Sequence, residues 1–390
     1  MITTGNKDTE NKEPHGKYPF FVRSKIIERI NSYSYDGEAI LTAGDGDIGK
    51  IFHYINGKFD YHQRVYMFYN IFGIKGIFLY YYLLENLANE VIKLSAKTTV
   101  DSLRLPMLQN FVVSVPSIIE QQTIAIYLDK ATAKIDTTIA KQTRLIELLK
   151  EKRQAVISSA VTRGLDSAVT MKDSGVEWLG EIPEHWKITP LRYIGRLQNG
   201  ISKGGEYFGT GFPFVNYGDI YNNGTLPINV GGLANSSMQD RHSYSVQKGD
   251  VFFTRTSETI DDIGMASTCL HTIVDATFSG FTIRFRQLKR ILNENFSKYY
   301  FRTGHSQAFF EEQLNLVTRA SLGQDILKQL PVLLPPMGEQ QAIADYLDDK
   351  TSRIDNLITK DSKAMDLLKE KRTALISAVV TGKIDVREAV

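Results

Sequence analysis

One cysteine, Cys269, stands in the whole chain of 390 residues. A lone thiol excludes a disulfide framework and a cysteine-ligated metal site, and it makes the cytoplasm the expected compartment. No run of 18 apolar residues occurs, so no membrane-crossing helix is expected. The opening stretch MITTGNKDTENKEPHGK is polar and lacks the apolar core of a signal peptide. An excess of charge of one sign is also missing: 46 Lys and Arg against 44 Asp and Glu leave a net +2. That balance neither demands nor forbids a polyanionic partner, because a basic patch can be local while acidic residues elsewhere offset it. Length and composition do allow two or three domains, with 42% hydrophobic residues to fill their cores.

Catalytic motifs are missing too. Gly44-Asp45-Gly46-Asp47-Ile48-Gly49-Lys50 fits G-x-x-x-x-G-K, but Ile51 stands where the magnesium-binding Ser or Thr belongs. Asp45 and Asp47 would repel phosphate, and Lys50 leads into a strand-like run rather than a helix whose N-terminus holds an anion. A Gly-Asp turn between strands is the better account. Methyl transfer to a base would need a Gly-rich cofactor loop and an Asn/Asp-Pro-Pro-aromatic motif, and neither occurs. A nuclease cluster would place Glu-x-Lys on a strand, whereas Lys369-Glu370-Lys371 falls in a helical run and is duplicated. His62-Gln63-Arg64 has no second His or carboxylate at metal-ligand spacing, so it reads as binding or structural.

Against these absences stands a repeat. Residues 339–385 restate residues 120–166, 219 positions earlier, with 25 of 47 positions identical and no gap. Prolines precede both copies (Pro116; Pro335 and Pro336), and neither copy contains Gly or Pro before the Gly that follows its closing Val-Thr. Apolar residues recur at three- and four-residue steps: Ile124, Leu128, Ile135, Ile139, Ile146, Leu149 and Val156, then Ile343, Leu347, Ile354, Ile358, Met365, Leu368, Leu375 and Val379. Each copy therefore reads as one helix spanning roughly 60 Å at 1.5 Å per residue. A periodic run of that length is expected to pair as a coiled coil, with Leu128, Ile135, Leu149, Leu347, Ile354 and Leu368 at the seam. The pattern leaves parallel and antiparallel pairing open. The duplicated Lys-Glu-Lys-Arg blocks, residues 150–153 and 369–372, fit partner contacts better than catalysis.

A globular unit precedes each helix. Residues 1–113 carry β-like runs separated by turn signals such as Asn56-Gly57, then turn helical from Ile77. Residues 186–334 repeat the plan: Tyr18-Pro19-Phe20-Phe21-Val22 is echoed by Phe212-Pro213-Phe214-Val215, Phe78-Leu79-Tyr80-Tyr81-Tyr82 by Lys298-Tyr299-Tyr300-Phe301, and Ser102-Leu103 by Ser321-Leu322, the last two at the same offset of 219. The expected map is a globular unit over 1–113, a helix over 114–166, a linker over 167–185, a second globular unit over 186–334 and a second helix over 335–390. The fold class is α+β: two globular units joined by two long repeated helices pairing as a coiled coil, a pseudo-twofold internal repeat. Only 18 residues precede Pro19, whereas 27 run from Trp186 to Pro213, so the first unit is expected to lack a leading strand, with an open edge or a trimmed start.

Polar and basic residues at strand ends and loops are the candidate contacts. In the first unit they are Arg23, Ser24, Lys25, His62, Gln63, Arg64, Lys97, Thr98, Thr99 and Arg104; in the second, Ser202, Lys203, Asn216, Tyr217, Arg255, Ser257, Glu258, Arg319 and Ser321. Arg and Gln read guanine and adenine edges bidentately, and Lys, Ser and Thr hold phosphates.

The chain resembles the specificity (DNA-recognition) subunits of type I restriction-modification systems. The resemblance rests on the two helices with Glu-Gln-Gln (from Glu120 and Glu339), Tyr-Leu-Asp (from Tyr127 and Tyr346) and Leu-Leu-Lys-Glu-Lys-Arg (from Leu148 and Leu367), and on the joining segment SGVEWLGEIPEHWK at residues 174–187. It implies that each globular unit is a target-recognition domain reading one half of a split double-stranded DNA sequence. It further implies that the helices form a spacer whose surfaces bind two modification (methyltransferase) subunits, with one or more restriction subunits joining them. S-adenosylmethionine, ATP and magnesium would then belong to those partners, and this chain would catalyse nothing and hold no cofactor, metal or membrane. The short start of the first domain departs from the family's pattern. The alternative is a coiled-coil interaction protein, a decoy homologue without productive DNA reading.

Overall fold

The two repeats, free of Gly and Pro up to their closing Val-Thr, form helices, Ile118–Arg163 and Met337–Val380. Ser117 starts the first: its hydroxyl accepts from the Glu120 amide while the Glu120 carboxylate accepts from the Ser117 amide, a reciprocal capping box. Both helices end at a glycine in the left-handed region, Gly164 (φ +76°) and Gly382 (φ +74°), the conformation that a helix C-terminus asks of the next residue. This computed structural model describes residues 1–390 except 47, 96–101, 258–261, 314–319 and 389–390. Contacts gather them into two units, Met1–Leu145 with Lys360–Val390, and Ile146–Thr359, so each unit takes part of both long helices. Among the described residues no helix is long and apolar enough to cross a membrane.

In the first unit, strands β1 (Ile2–Thr4), β2 (Tyr18–Phe21), β3 (Ile27–Ile30), β4 (Tyr35–Ala43), β5 (Phe52–Tyr61) and β6 (Val65–Tyr69) form one sheet in the order β1-β6-β4-β5-β2-β3. Helices α1 (Gly76–Ser95), α2 (Leu105–Gln109) and the long α3 (Ile118–Arg163) follow. β2 runs parallel to the end of β5 and the other pairings are antiparallel. Strand alternation sorts β4 onto two cores: Ile40 packs with Leu79, Leu83 and Leu87 of α1, while Ala39 and Leu41 join Phe21, Phe59 and Met67. The unit opens on β1, where Ile2, Thr3 and Thr4 pair with Phe68, Met67 and Tyr66.

The second unit holds β7 (Met171–Asp173), β8 (Glu181–Pro183), β9 (Lys187–Pro190), β10 (Gly195–Asn199), β11 (Phe208–Val215), β12 (Gly232–Ala234), β13 (Val251–Thr254), β14 (Thr256–Ser257), β15 (Ala266–Thr268), β16 (Thr277–Phe278), β17 (Thr282–Gln287), β18 (Ala320–Ser321) and β19 (Pro331–Leu334). Its helices are α4 (Tyr217–Tyr221), α5 (Met238–Ser243), α6 (Glu294–Tyr300), α7 (Gly304–Gln313), α8 (Gln324–Leu327) and the long α9 (Met337–Val380). The sheet β10-β17-β13-β15 has the order of β1-β6-β4-β5, so β10 stands where β1 does. Phe252 faces Phe278, Val215 and Cys269, and its neighbours Val251 and Phe253 face Phe296, Phe301 and Phe310.

The helix pairing is antiparallel in each unit. Arg372 grips Asp136 through Nε (2.8 Å) and Nη2 (3.2 Å), and Thr143 meets Met365, so numbers rise along α3 as they fall along α9. In the other unit Arg153 grips Asp355 at the same two distances, 2.8 and 3.2 Å. The two pairs are one interaction repeated 219 residues on. The arginines of the Lys-Glu-Lys-Arg blocks are thus engaged within the chain rather than held for partners. Of the expected seam residues, Leu128, Ile135, Leu347 and Ile354 are buried and Leu149 and Leu368 half-buried. Toward the helix C-termini the buried positions move one residue on, from Val156 and Leu375 to Ile157 and Ile376.

The first glutamine of each Glu-Gln-Gln, Gln121 and Gln340, is buried and staples its helix to the chain before the neighbouring aromatic helix. Gln121 donates to Pro116 O (2.9 Å) and accepts from the Lys75 amide (2.7 Å); Gln340 donates to Pro335 O (2.9 Å) and accepts from the Asn293 amide (2.7 Å). The aromatic helices stand 218 apart rather than 219. Tyr81 donates to Asp129 and meets Thr132, as Tyr299 does with Asp348 and Thr351, which corrects the sequence alignment there by one position.

Candidate nucleic-acid interface

Of the candidate contacts of the first unit, Arg23, His62, Gln63 and Arg64 meet at one turn. Residues 62–64 carry the chain from β5 to β6 and are held by three separate segments: His62 N–H donates to Phe21 O (2.9 Å), Gln63 N–H to Lys7 O (2.8 Å), and Gly44 N–H to Arg64 O (2.8 Å). Leu103 N–H reaches Gly44 O at 2.7 Å, which brings the chain around Arg104 to the same corner. The second unit repeats the framework around residues 279–281: Ser279 N–H to Val215 O (3.0 Å), Gly280 N–H to Ile201 O (2.8 Å), Arg255 N–H to Phe281 O (3.0 Å) and Leu322 N–H to Arg255 O (2.7 Å). Four backbone hydrogen bonds match one for one, although the offsets between matched residues range from 194 to 219.

On this common frame the side chains differ. In the first unit Arg23 and Arg64 converge on Asp45, at 3.0 Å to Oδ1 and 2.8 Å to Oδ2, with both guanidinium groups at the surface. Burial raises the Asp45 pKa, but hydrogen bonds from Arg64 and Arg23 outweigh it and hold the carboxyl below its ordinary value. Two cations on one anion leave the cluster net positive. Asp45, which the sequence presents as a turn residue, is therefore the group that orients both arginines. Gln63 donates to Asp8 Oδ2 at 2.7 Å. His62 is buried; its Nδ1 accepts the Arg64 amide at 2.9 Å, so it holds the turn from beneath. Ser24 closes a local turn onto Ile26, Lys25 is exposed, and Arg104 occupies the N-cap position of α2 with its side chain exposed.

In the second unit Phe281 takes the place of Arg64 and stands 65% exposed, a large apolar side chain that no periodicity marked. Tyr217, two residues beyond Val215 as Arg23 is beyond Phe21, donates to Thr256 O (3.0 Å) and stacks on Tyr221 with ring centroids 5.8 Å apart. Ser202 lies beside Gly280, and Asn216 caps α4. Lys203 stands farther out, paired with Asp240 at 3.2 Å and over the Tyr207 ring at 4.3 Å. Hydrogen bonds from Ser237 hold Asp240 down to about 2, so Lys203 faces a permanent anion. Arg255 contributes backbone to the corner, and Ser257 follows in β14, paired with β18, which carries Ser321. Lys97, Thr98, Thr99, Glu258 and Arg319 lie outside the described residues. The Gly44 to Lys50 stretch connects β4 to β5.

Comparison with known proteins follows the same division. The family model for the type I restriction modification DNA specificity domain matches residues 2–148 and 183–364. The chain belongs to this family. Among relatives of this specificity family, the type I restriction enzyme EcoDI specificity subunit of Escherichia coli is 34% identical over 160 residues, which is 41% of this chain and 35% of that protein. The EcoKI specificity subunit of Escherichia coli strain K12 is 23% identical over 306 residues, 76% of this chain and 62% of that protein. The matched part of the chain therefore spans less than two thirds of either relative's length. In fold, a chain from a solved type I R-M system superposes with a TM-score of 0.71 at 14% identity, covering 97% of this chain and 94% of that one.

Proposed function

We propose that this specificity-family chain is a non-catalytic, sequence-specific DNA reader of a type I restriction-modification complex. Each globular unit reads one half of a bipartite target, and the chain docks two modification subunits and the restriction subunit or subunits. The observation that carries the reading is the repeated backbone corner with unlike side chains: Arg23, Gln63 and Arg64 on one copy, Tyr217, Arg255 and Phe281 on the other. A fixed frame that presents different hydrogen-bonding and stacking groups is what two readers of two different sequences require, since base edges carry the specificity and backbone contacts carry the register. The net positive Arg23–Asp45–Arg64 cluster supports contact with a polyanion.

Exchange of residues 186–334 for the corresponding segment of another family member tests this. With the complete system expressed in cells, sequencing of methylated adenines should show one half of the target changed and the other half kept. A change in both halves, or in neither, overturns the assignment of one unit to one half-site.

A further inference from the structure

The two units differ beside the helix pair. Both carry the ion pair that ties α9 to α3, Asp136–Arg372 in the first and Arg153–Asp355 in the second, and both set an aromatic helix next to it. In the first unit Tyr80 and Leu84 of α1 pack into the apolar clusters there, and Tyr80 meets the Tyr54 and Tyr81 rings with centroids 6.1 and 5.3 Å away. The matched positions of the second unit, 218 on, are Lys298 and Arg302. Here a cleft of about 630 Å³ stands open, lined by those two cations, by Arg153 and Asp355, and by the polar side chains of Asn222, Thr225, Ser352 and Asn356.

The cleft is electropositive. Arg153 is matched by Asp355 at 2.8 Å and Lys298 by Asp348 at 2.6 Å, whereas Arg302 donates to three main-chain carbonyls, Ile220 O (3.3 Å), Ala266 O (3.0 Å) and Tyr221 O (2.7 Å). Carbonyls take up its hydrogens without cancelling its charge, and burial with no carboxylate beside it pulls its pKa below the ordinary arginine value. Lys298 and Arg302 stand four residues apart, about one helical turn, and both face the cleft. The side-chain hydroxyls and amides of Asn222, Thr225, Ser352 and Asn356 make no hydrogen bond within the chain among the described residues, which leaves them for a guest. A cleft of this volume suits a small molecule and is too small to admit a duplex. Apart from Ile157 and the Tyr299 ring its walls are polar, so a base ring finds no apolar slot while hydroxyl groups find partners on α9 and on the loop after α4.

We propose that this cleft binds a small phosphorylated polyol, a sugar phosphate, with its phosphoryl group on Lys298 and Arg302 and its hydroxyls on Asn222, Thr225, Ser352 and Asn356. A phosphate monoester carries close to two negative charges near neutral pH, about the counter-charge that Arg302 lacks. One molecule binds per chain, because tyrosine and leucine take the matching positions in the first unit. The site binds without turnover, and the inference does not depend on the DNA-reading assignment.

Isothermal titration of ribose-5-phosphate into the full chain is the test. Saturable binding at one molecule per chain is expected, with hydrogen exchange slowed over residues 222–225 and 351–356. Orthophosphate should bind about tenfold more weakly, and ribose should give no measurable heat. Lys298→Gln and Arg302→Lys should each weaken the sugar phosphate by about tenfold or more, the scale of a charge-assisted hydrogen bond, while Lys187→Gln, a surface charge outside the cleft, should leave it unchanged. Ser352 is exposed and its counterpart on α3 is Ala133, so Ser352→Ala keeps the fold; it should weaken ribose-5-phosphate and leave orthophosphate as it was. No saturable binding, protection elsewhere, an equal loss in Lys187→Gln, or orthophosphate bound as tightly as the sugar phosphate would each overturn the proposal. Displacement of ribose-5-phosphate by a short DNA duplex of scrambled sequence would also overturn it, by giving the cleft to the DNA backbone.

Discussion

His62 links the corner's chemistry to pH. Its Nδ1 accepts the Arg64 amide, so the neutral ring carries its proton on Nε2, 3.8 Å from Asp8 Oδ1. Burial, then the charge of Arg23, lowers its pKa, with Asp8 and Asp45 pulling weakly the other way. His53 is lowered as well, by burial against a hydrogen bond to Ser24 O. Above the ordinary histidine value, about 6.5, folded and unfolded chains both hold these rings neutral and they contribute nothing. Below it the unfolded chain takes up protons first, so stability falls as pH drops through that value toward the lower folded values. Urea midpoints for the first unit should therefore be lower at pH 5.5 than at pH 7.5, and His62→Gln should narrow the gap. A gap that His62→Gln leaves unchanged would assign the effect elsewhere. Sequence reasoning grouped His62 with this cluster's arginines and glutamine as binding or structural, without telling which. Its burial depends on Phe21, Lys7 and the β5 turn meeting there, contacts between residues far apart in the chain that no local pattern encodes.

At the scale of elements, the long helices were legible because their packing is periodic: Leu128, Ile135, Leu347 and Ile354 lie on the stripe and are buried. Their direction was not, because an apolar stripe serves a parallel or an antiparallel partner equally well. The Asp136–Arg372 and Arg153–Asp355 pairs favour the antiparallel alternative, since each arginine meets its aspartate only when one helix is reversed. The same holds for Gln121 and Gln340, visible as repeats but explained only by the backbone groups they reach. A double-mutant cycle on Asp136→Ala and Arg372→Ala should give a coupling of about 1 kcal/mol, the upper range for a partly exposed ion pair with bidentate geometry. The doubly reversed variant, Asp136→Arg with Arg372→Asp, should recover most of the stability that either single reversal loses. Zero coupling would reduce these pairs to incidental surface contacts.

For the whole molecule, the duplication could be read from residues 120–166 and 339–385, while the matched corners could not, because their offsets drift with every loop. β5 is one strand in the first unit, whereas its counterpart in the second is divided into β15 and β16 with eight residues between them, so equivalent residues fall out of step. The helices, with the stretch that leads into them from Leu103 and Leu322, keep one offset, as a spacer must if its length is what it contributes. Paired residues in α3 and α9 sum to one value (Asp136 with Arg372, Thr143 with Met365, Arg153 with Asp355), so four residues inserted after Arg144 and four after Lys363 extend both helices at facing positions. Each insertion adds about one turn, about 5.4 Å to 6 Å of helix, against about 3.4 Å per base pair of DNA. If the helix pair sets the distance between half-sites, the spacer between methylated half-sites should lengthen by one or two base pairs, with both half-site sequences unchanged. The phase of the duplex turns by roughly a tenth of a helical repeat per base pair, so methylation should also slow while its new spacing is sharply defined. An unchanged spacer in the sequenced methylation sites would show that the distance is set by the partner subunits and not by these helices.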